Sequence, residues 1–258
     1  MSEGPDFSIL DRPEVIQFIF YPRRDWTPLP PGARDYVVPV AEGVSIACRF
    51  YPAEKTSPCF LYFHGNGEVA CDHDWIAPLY NQDGIGLFVA DYRGYGRSGG
   101  SPSFAAMTAD AHALFRSFVD TLRSEGYSGP LFVMGRSLGS HSTLELAYHY
   151  PEALSGIIIE SGSANMARLL RFFDVPEERR SALEEAGFHR LRSITLPILI
   201  LHGEWDTLIP LAEAVRLYEG IGSPEKRLEV VPAAGHNDIL LVGTEQYFSA
   251  IREFVFAR

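Results

Sequence analysis

Six short apolar runs, each ending at a glycine, a proline or a polar residue, constrain this chain more than any other feature. Cys59–Phe63 (CFLYF) ends at His64-Gly65, Gly86–Ala90 (GLFVA) at Asp91, and Leu131–Met134 (LFVM) at Gly135. Gly156–Ile159 (GIII) ends at Glu160, Ile198–Leu201 (ILIL) at His202-Gly203, and Leu228–Val231 (LEVV) at Pro232. Apolar runs of this length predict strands buried on both faces. Two earlier runs, Tyr36–Val40 and Val44–Tyr51, interleave apolar and polar residues and predict an antiparallel pair at a sheet edge.

Amphipathic stretches separate the runs: Ala70–Asn81, Met107–Ser124, Ser140–Tyr150, Leu211–Gly220 and Thr244–Ala257. In Met107–Ser124, the residues Ala111, Leu114, Phe115, Phe118, Val119 and Leu122 recur at helical spacing. Strand alternating with helix predicts an α/β fold, a mostly parallel sheet of about eight strands with helices on both faces. Such sheets gather their chemistry at the carboxyl ends of the strands. Those ends carry His64-Gly65-Asn66, Asp91, Gly135-Arg136-Ser137, Glu160, Asp206 and His236.

The 258 residues suit one α/β domain, with 1–35 as a lead-in. A net charge of −11 makes nucleic acid and anionic lipid poor partners, because both would repel the chain. Cys48, Cys59 and Cys71 have neither disulfide-framework nor zinc spacing, and are expected as small core residues in a reducing compartment. The start of the chain lacks a basic region followed by an apolar one, and Val15–Tyr21 is too short to span a bilayer. A cytoplasmic protein with no membrane span, a monomer or a homodimer, is the expectation.

Gly135-Arg136-Ser137-Leu138-Gly139 is a G-x-S-x-G that follows an apolar run and opens a helical stretch. That setting predicts a nucleophile elbow, a sharp turn that exposes the serine at a helix N-terminus. A serine hydroxyl needs an adjacent base. His236, in a loop between the last strand and the last helix, is placed to supply it. The base needs a carboxylate to fix its tautomer. Asp206, after the preceding strand, gives the chain order Ser…Asp…His expected at such an elbow. Glu160 is the rival acid, Glu204 is expected in the turn, and Asp238 lies too near His236 along the chain to orient it. The oxyanion hole is expected from the Leu138 N–H and the Asn66 N–H, the latter in the loop His64–Glu68. His64 is expected to bond loop backbone. Asp91 and Arg93 are expected to bond backbone or each other, and Tyr95 to line the substrate entrance.

Together HGNGE at 64–68, DYRGYGRSGG at 91–100, GRSLGS at 135–140, HGEWDTLIP at 202–210 and GH at 235–236 resemble the α/β-hydrolase superfamily from about Tyr36 onward. HGNG followed by DYRGYG and GRSLG is most similar to the Bem46-like branch, as is FIFYP at 18–22. That branch also contains depalmitoylase-like serine hydrolases. The resemblance implies the α/β-hydrolase fold and cleavage of small-molecule esters or thioesters through an acyl-serine, with no metal or cofactor. It also marks 165–193 as a minimal cap, with Phe172 and Phe173 expected to wall an acyl pocket. The alternative for these two rings is ordinary core contact.

The same machinery would serve a serine peptidase or amidase. A catalytically silent binding protein on this scaffold would be expected to lack the serine, the histidine or the acid. A hydrolytic dehalogenase or epoxide hydrolase would want aspartate where Ser137 stands.

Overall fold

The computed structural model describes residues 7–256. Ala257, the end of the last expected helix, and the first six residues of the lead-in lie outside the described residues. The described chain forms two compact units, one over Phe7–Val133 and one from Met134 onward.

The first unit holds strands β1 (Arg34–Ala41), β2 (Val44–Tyr51), β3 (Cys59–Phe63) and β4 (Gly86–Ala90), in the order β1-β2-β4-β3. β1 and β2 pair antiparallel, with a register shift between Pro39 and Ala41. β2 and β4 also pair antiparallel, and β3 and β4 pair parallel. Every residue of β3 and β4 is buried, which is why both read as unbroken apolar runs.

Its helices are α1 (Pro13–Ile19), α2 (Ala77–Gln82) and α3 (Phe104–Ser124). The helix expected over Ala70–Asn81 is instead a 3₁₀ turn, Ala70–Asp74, followed by α2. Pro78 has no N–H to continue a helix begun at Ala70, but sits well in the first turn of a new one. α3 starts three residues ahead of the apolar periodicity. Ser103 caps it by accepting from the Ala106 N–H at 3.1 Å, and Asp11 accepts from the Phe104 and Ala105 N–H groups at 2.6 and 3.1 Å.

The second unit begins within β5 (Leu131–Arg136) and continues with β6 (Gly156–Glu160), β7 (Ile198–Gly203) and β8 (Lys226–Val231). β6, β7 and β8 pair parallel in that order. β6 and β7 are fully buried, whereas β8 is half-buried except at Val231. β8 ends the order and has a neighbour on one side only, so it carries Lys226, Arg227 and Glu229. Its helices are α4 (Ser140–His149), α5 (Glu177–Arg192), α6 (Leu211–Gly220), α7 (Ile239–Val242) and α8 (Thr244–Phe256). The eight strands are mostly parallel and flanked by helices, as the alternating pattern predicts. Among the described residues no helix is long and apolar enough to cross a membrane.

One buried charge stands out in the first unit. Arg49 on β2 is fully buried; its Nε donates to Asp35 at 2.8 Å and its Nη1 to Asp74 at 3.0 Å. The guanidinium also lies 4.7 Å from the Trp26 ring centre. Arg49→Ala would leave both carboxylates without this cation. It is expected to lower unfolding free energy by about 3 kcal/mol, the low end for breaking a buried pair because both aspartates are partly exposed. Urea unfolding of wild type and variant measures it, and equal midpoints would refute the assignment.

Candidate active site

β5 runs straight into a tight turn. Arg136 is extended, at φ −100° and ψ 129°, and Ser137 is left-handed at φ 51°. A 3₁₀ turn, Ser137–Gly139, then leads into α4. The reversal is tight enough that a Cβ on Gly135 would come within 2.4 Å of the Gly139 carbonyl oxygen, so glycine is required there. The Ser140 hydroxyl donates to the Ser137 carbonyl at 2.6 Å and fixes the far side of the turn. Leu138, next in the turn, is buried.

Ser137 Oγ lies 3.0 Å from His236 Nε2, and His236 Nδ1 lies 2.7 Å from Asp206 Oδ2. A carboxylate can only accept, so the ring proton belongs on Nδ1, leaving Nε2 free to accept from the serine hydroxyl. Asp206 is held in turn by the Leu208 and Ile209 N–H groups, which donate to Oδ1 at 2.9 and 2.7 Å. Burial opposes ionisation of Asp206. The bonds from His236 and the Ile209 N–H outweigh it, so the carboxyl pKa lies below its ordinary value.

His202, at the end of β7, bonds the Ile209 carbonyl at 2.8 Å and braces the same loop. Burial lowers its pKa, which keeps it neutral beside Asp206. Glu204 sits in the turn, as its place in the sequence suggests, and accepts from the Ala233 N–H at 3.0 Å. Asp238 accepts from the Gly235 N–H at 2.6 Å and closes the histidine loop on itself.

Glu160, the rival acid, is engaged elsewhere. It accepts from Arg136 Nε at 3.1 Å and from the Tyr247 hydroxyl at 2.7 Å. Arg136 reaches further: its Nη2 donates to the His236 carbonyl and to Asn237 Oδ1, both at 3.0 Å. In the sequence, Arg136 occupies the variable position of the G-x-S-x-G. No local pattern marks a contact between residues a hundred positions apart.

The loop His64–Glu68 belongs to the first unit and is tightly held there. Asn66 Oδ1 accepts from the Tyr21 N–H at 2.9 Å and the Tyr95 hydroxyl at 2.7 Å, and its Nδ2 donates to the Ile19 carbonyl. Gly67 is left-handed at φ 78°, and its carbonyl accepts from Arg23 Nη1 at 3.1 Å. Arg23 also grips Asp72 through two 2.9 Å bonds. The segment FIFYPRR therefore acts as a strap over this loop. His64 bonds the Gly65 carbonyl at 2.8 Å and Asp91 at 3.1 Å. Burial disfavours its cation, but Asp91 and Gly65 outweigh that and raise its pKa.

Two expectations are corrected here. Tyr95 has no exposed surface and its hydroxyl is committed to Asn66, so it braces the loop and does not line an entrance. Arg93 pairs with Asp110 through two 2.7 Å bonds and neither with Asp91 nor with backbone, whereas Asp91 bonds backbone as expected, accepting from the Ala70 N–H at 2.7 Å. In the segment 165–193, Phe172 ends a 3₁₀ turn, Met166–Phe172, and is 72% exposed, while Phe173 is half-buried.

Residues 54–184 and 186–240 match the family described as serine aminopeptidase, S33. A protein of Mycobacterium tuberculosis, Uncharacterized protein Rv2307c, is 28% identical over 234 residues, which is 87% of this chain and 80% of that one. Human alpha/beta hydrolase domain-containing protein 17B is 28% identical over 226 residues, covering 85% of this chain and 74% of its own. Among solved structures, the Pyrococcus furiosus esterase Pf2001 superposes with a TM-score of 0.71 at 19% identity, over 92% of this chain and 96% of that one. That likeness shows the α/β-hydrolase fold.

The histidine loop presses on the end of β7. A Cβ on Gly203 would meet the Ala234 and Gly235 carbonyl oxygens at 2.5 and 2.7 Å. Gly203→Ala is therefore expected to displace the loop and break the 3.0 Å contact between His236 and Ser137. A crystal structure of the variant reads the distance directly, and an unchanged contact would refute this.

Proposed function

The chain belongs to the serine aminopeptidase S33 family of α/β-hydrolases, and from that premise we propose that it is a serine hydrolase cleaving carboxylic esters or thioesters through an acyl-Ser137. The observation that carries the reading is the continuous chain Ser137–His236–Asp206, in which each acceptor faces a donor. Ser137 Oγ attacks the substrate carbonyl while its proton passes to His236 Nε2. Asp206, held ionised, stabilises the imidazolium. The new C–O bond forms a tetrahedral oxyanion, and the Leu138 N–H, one residue past the nucleophile, is assigned as a donor to it. Collapse breaks the bond to the alkoxide or thiolate, which takes the proton from His236. Water then repeats the sequence and frees the acid and Ser137.

A second reading is peptide or amide cleavage by the same residues, favoured by the family's description as an aminopeptidase. A silent binding scaffold is disfavoured because serine, histidine and acid are all present and bonded in series. We place the protein in the cytoplasm on the strength of its cysteines, all three of which are buried and unpaired.

A fluorophosphonate probe is expected to label wild type and not Ser137→Ala. Hydrolysis of p-nitrophenyl acetate, butyrate and octanoate should fall by about 10⁶ in that variant and by about 10⁴ in Asp206→Asn. Labelling without turnover of any ester, but with turnover of an aminoacyl p-nitroanilide, would replace the esterase reading with the peptidase one. No labelling at all would reject both.

Phe172 and Phe173 are proposed to wall the acyl site. Phe172→Ala and Phe173→Ala are expected to change the ratio of octanoate to acetate turnover while sparing acetate. Unchanged ratios in both variants would remove the cap from substrate selection.

A further inference from the structure

We propose that Arg136 is a positioning residue that holds the main chain of His236 in register with Ser137; this rests on the Ser137–His236–Asp206 reading above. Arg136 directly precedes the nucleophile, and its side chain is only 12% exposed. The planar guanidinium serves acceptors on two separate elements. Its Nε donates to Glu160, at the end of β6, at 3.1 Å. Its Nη2 donates to the His236 carbonyl and to Asn237 Oδ1, each at 3.0 Å. Glu160 is fixed from behind by the Tyr247 hydroxyl of α8 at 2.7 Å. A continuous run of polar contacts thus links α8, the end of β6, the elbow and the histidine loop.

The imidazole of His236 is oriented by Asp206 through Nδ1. That bond fixes the tilt of the ring and leaves the backbone carrying it to be located by something else. Arg136 grips that backbone at the residue's own carbonyl. Because Arg136 and Ser137 are covalent neighbours, the grip sets the base relative to the nucleophile and not merely relative to the sheet. A lysine ammonium is a point charge and cannot reproduce the fork of donors that reaches Glu160, His236 and Asn237 in one plane.

A purely structural ion pair would make Glu160 and Arg136 interchangeable in their effects. Positioning predicts that they differ. Arg136→Gln breaks the grip on His236, whereas Glu160→Gln leaves it and can still accept from Arg136 through its amide oxygen.

Arg136→Gln, Arg136→Lys, Glu160→Gln and the double variant Arg136→Gln/Glu160→Gln are compared with wild type for ester kcat and KM. In parallel, proton NMR follows the low-field resonance of the His236 Nδ1–H. Arg136→Gln is expected to lower kcat by about 10²-fold at unchanged KM, the cost of a misplaced catalytic group, with the resonance broadened or lost. Arg136→Lys should recover only part of the rate, and Glu160→Gln should keep most of the rate and the resonance. The double variant buries no unpaired carboxylate, so it replaces Arg136→Gln in the comparison if that variant does not fold. Wild-type kcat and an intact resonance in the variants lacking Arg136 would overturn the proposal, as would an equal loss in Glu160→Gln. If wild type proves inactive on every substrate, the functional reading fails, while the resonance still decides whether Arg136 positions His236.

Discussion

Everything in the site hangs on one left-handed residue. Ser137 at φ 51° carries a backbone conformation that costs an L-residue about 1–2 kcal/mol. The surroundings overdetermine it. β5 is buried through its middle, Gly135 has no Cβ to collide with the Gly139 carbonyl, and Ser140 ties back to Ser137. Relaxing the turn would require these contacts to break together. Strain held in this way presents the hydroxyl toward His236 at a point where an ordinary helix start would turn it along the helix. The positions of His236 and Asp206 have meaning only relative to that fixed hydroxyl.

Much of this was legible in the sequence, for reasons that differ between elements. β3, β4, β6 and β7 are covered on both faces, so their composition is apolar regardless of register. The end of β8 was legible and its start was not, because an edge strand can carry charge and so resembles a loop. The start of α3 was missed because Ser103 and Asp11 place it by hydrogen bonding, whereas hydrophobic period reports only what is buried. Ser137, His236 and Asp206 could be chosen because each follows a strand in the expected order. Tyr95 and Arg136 could not be understood that way. Their partners, Asn66 and Tyr21 for one and Glu160, His236 and Asn237 for the other, are known only once the chain has folded.

The two carboxylates near the elbow show how partners separate chemically similar groups. Asp206 has two main-chain N–H groups on one oxygen and the imidazole on the other. This arrangement favours the anion while leaving it directed at the base. Glu160 has an arginine on one oxygen and a tyrosine hydroxyl on the other, and so faces Arg136 and Tyr247 where Asp206 faces the imidazole. Being near the site decides little; what decides is which donors each carboxylate faces. Asp206 is thereby directed at His236, and Glu160 at Arg136 and Tyr247.

The cap follows a different physical logic from the strands beneath it. α5 has no apolar stripe and buries only Leu183 and Leu191. Its links to neighbouring elements are polar: Glu184 with Arg216 at 2.6 Å and Asn165 at 3.0 Å, and Arg190 with Glu145 at 2.6 Å. Arg168, ahead of it, reaches the Leu208 carbonyl at 3.1 Å. Partly exposed ion pairs of this kind each contribute roughly 0–1 kcal/mol, against the fully buried aliphatic side chains of β6 and β7. Substitution of the polar residues of α5 therefore bears less on the buried sheet than substitution within β6 or β7. An element held in this way tolerates variation that the left-handed turn at Ser137 does not.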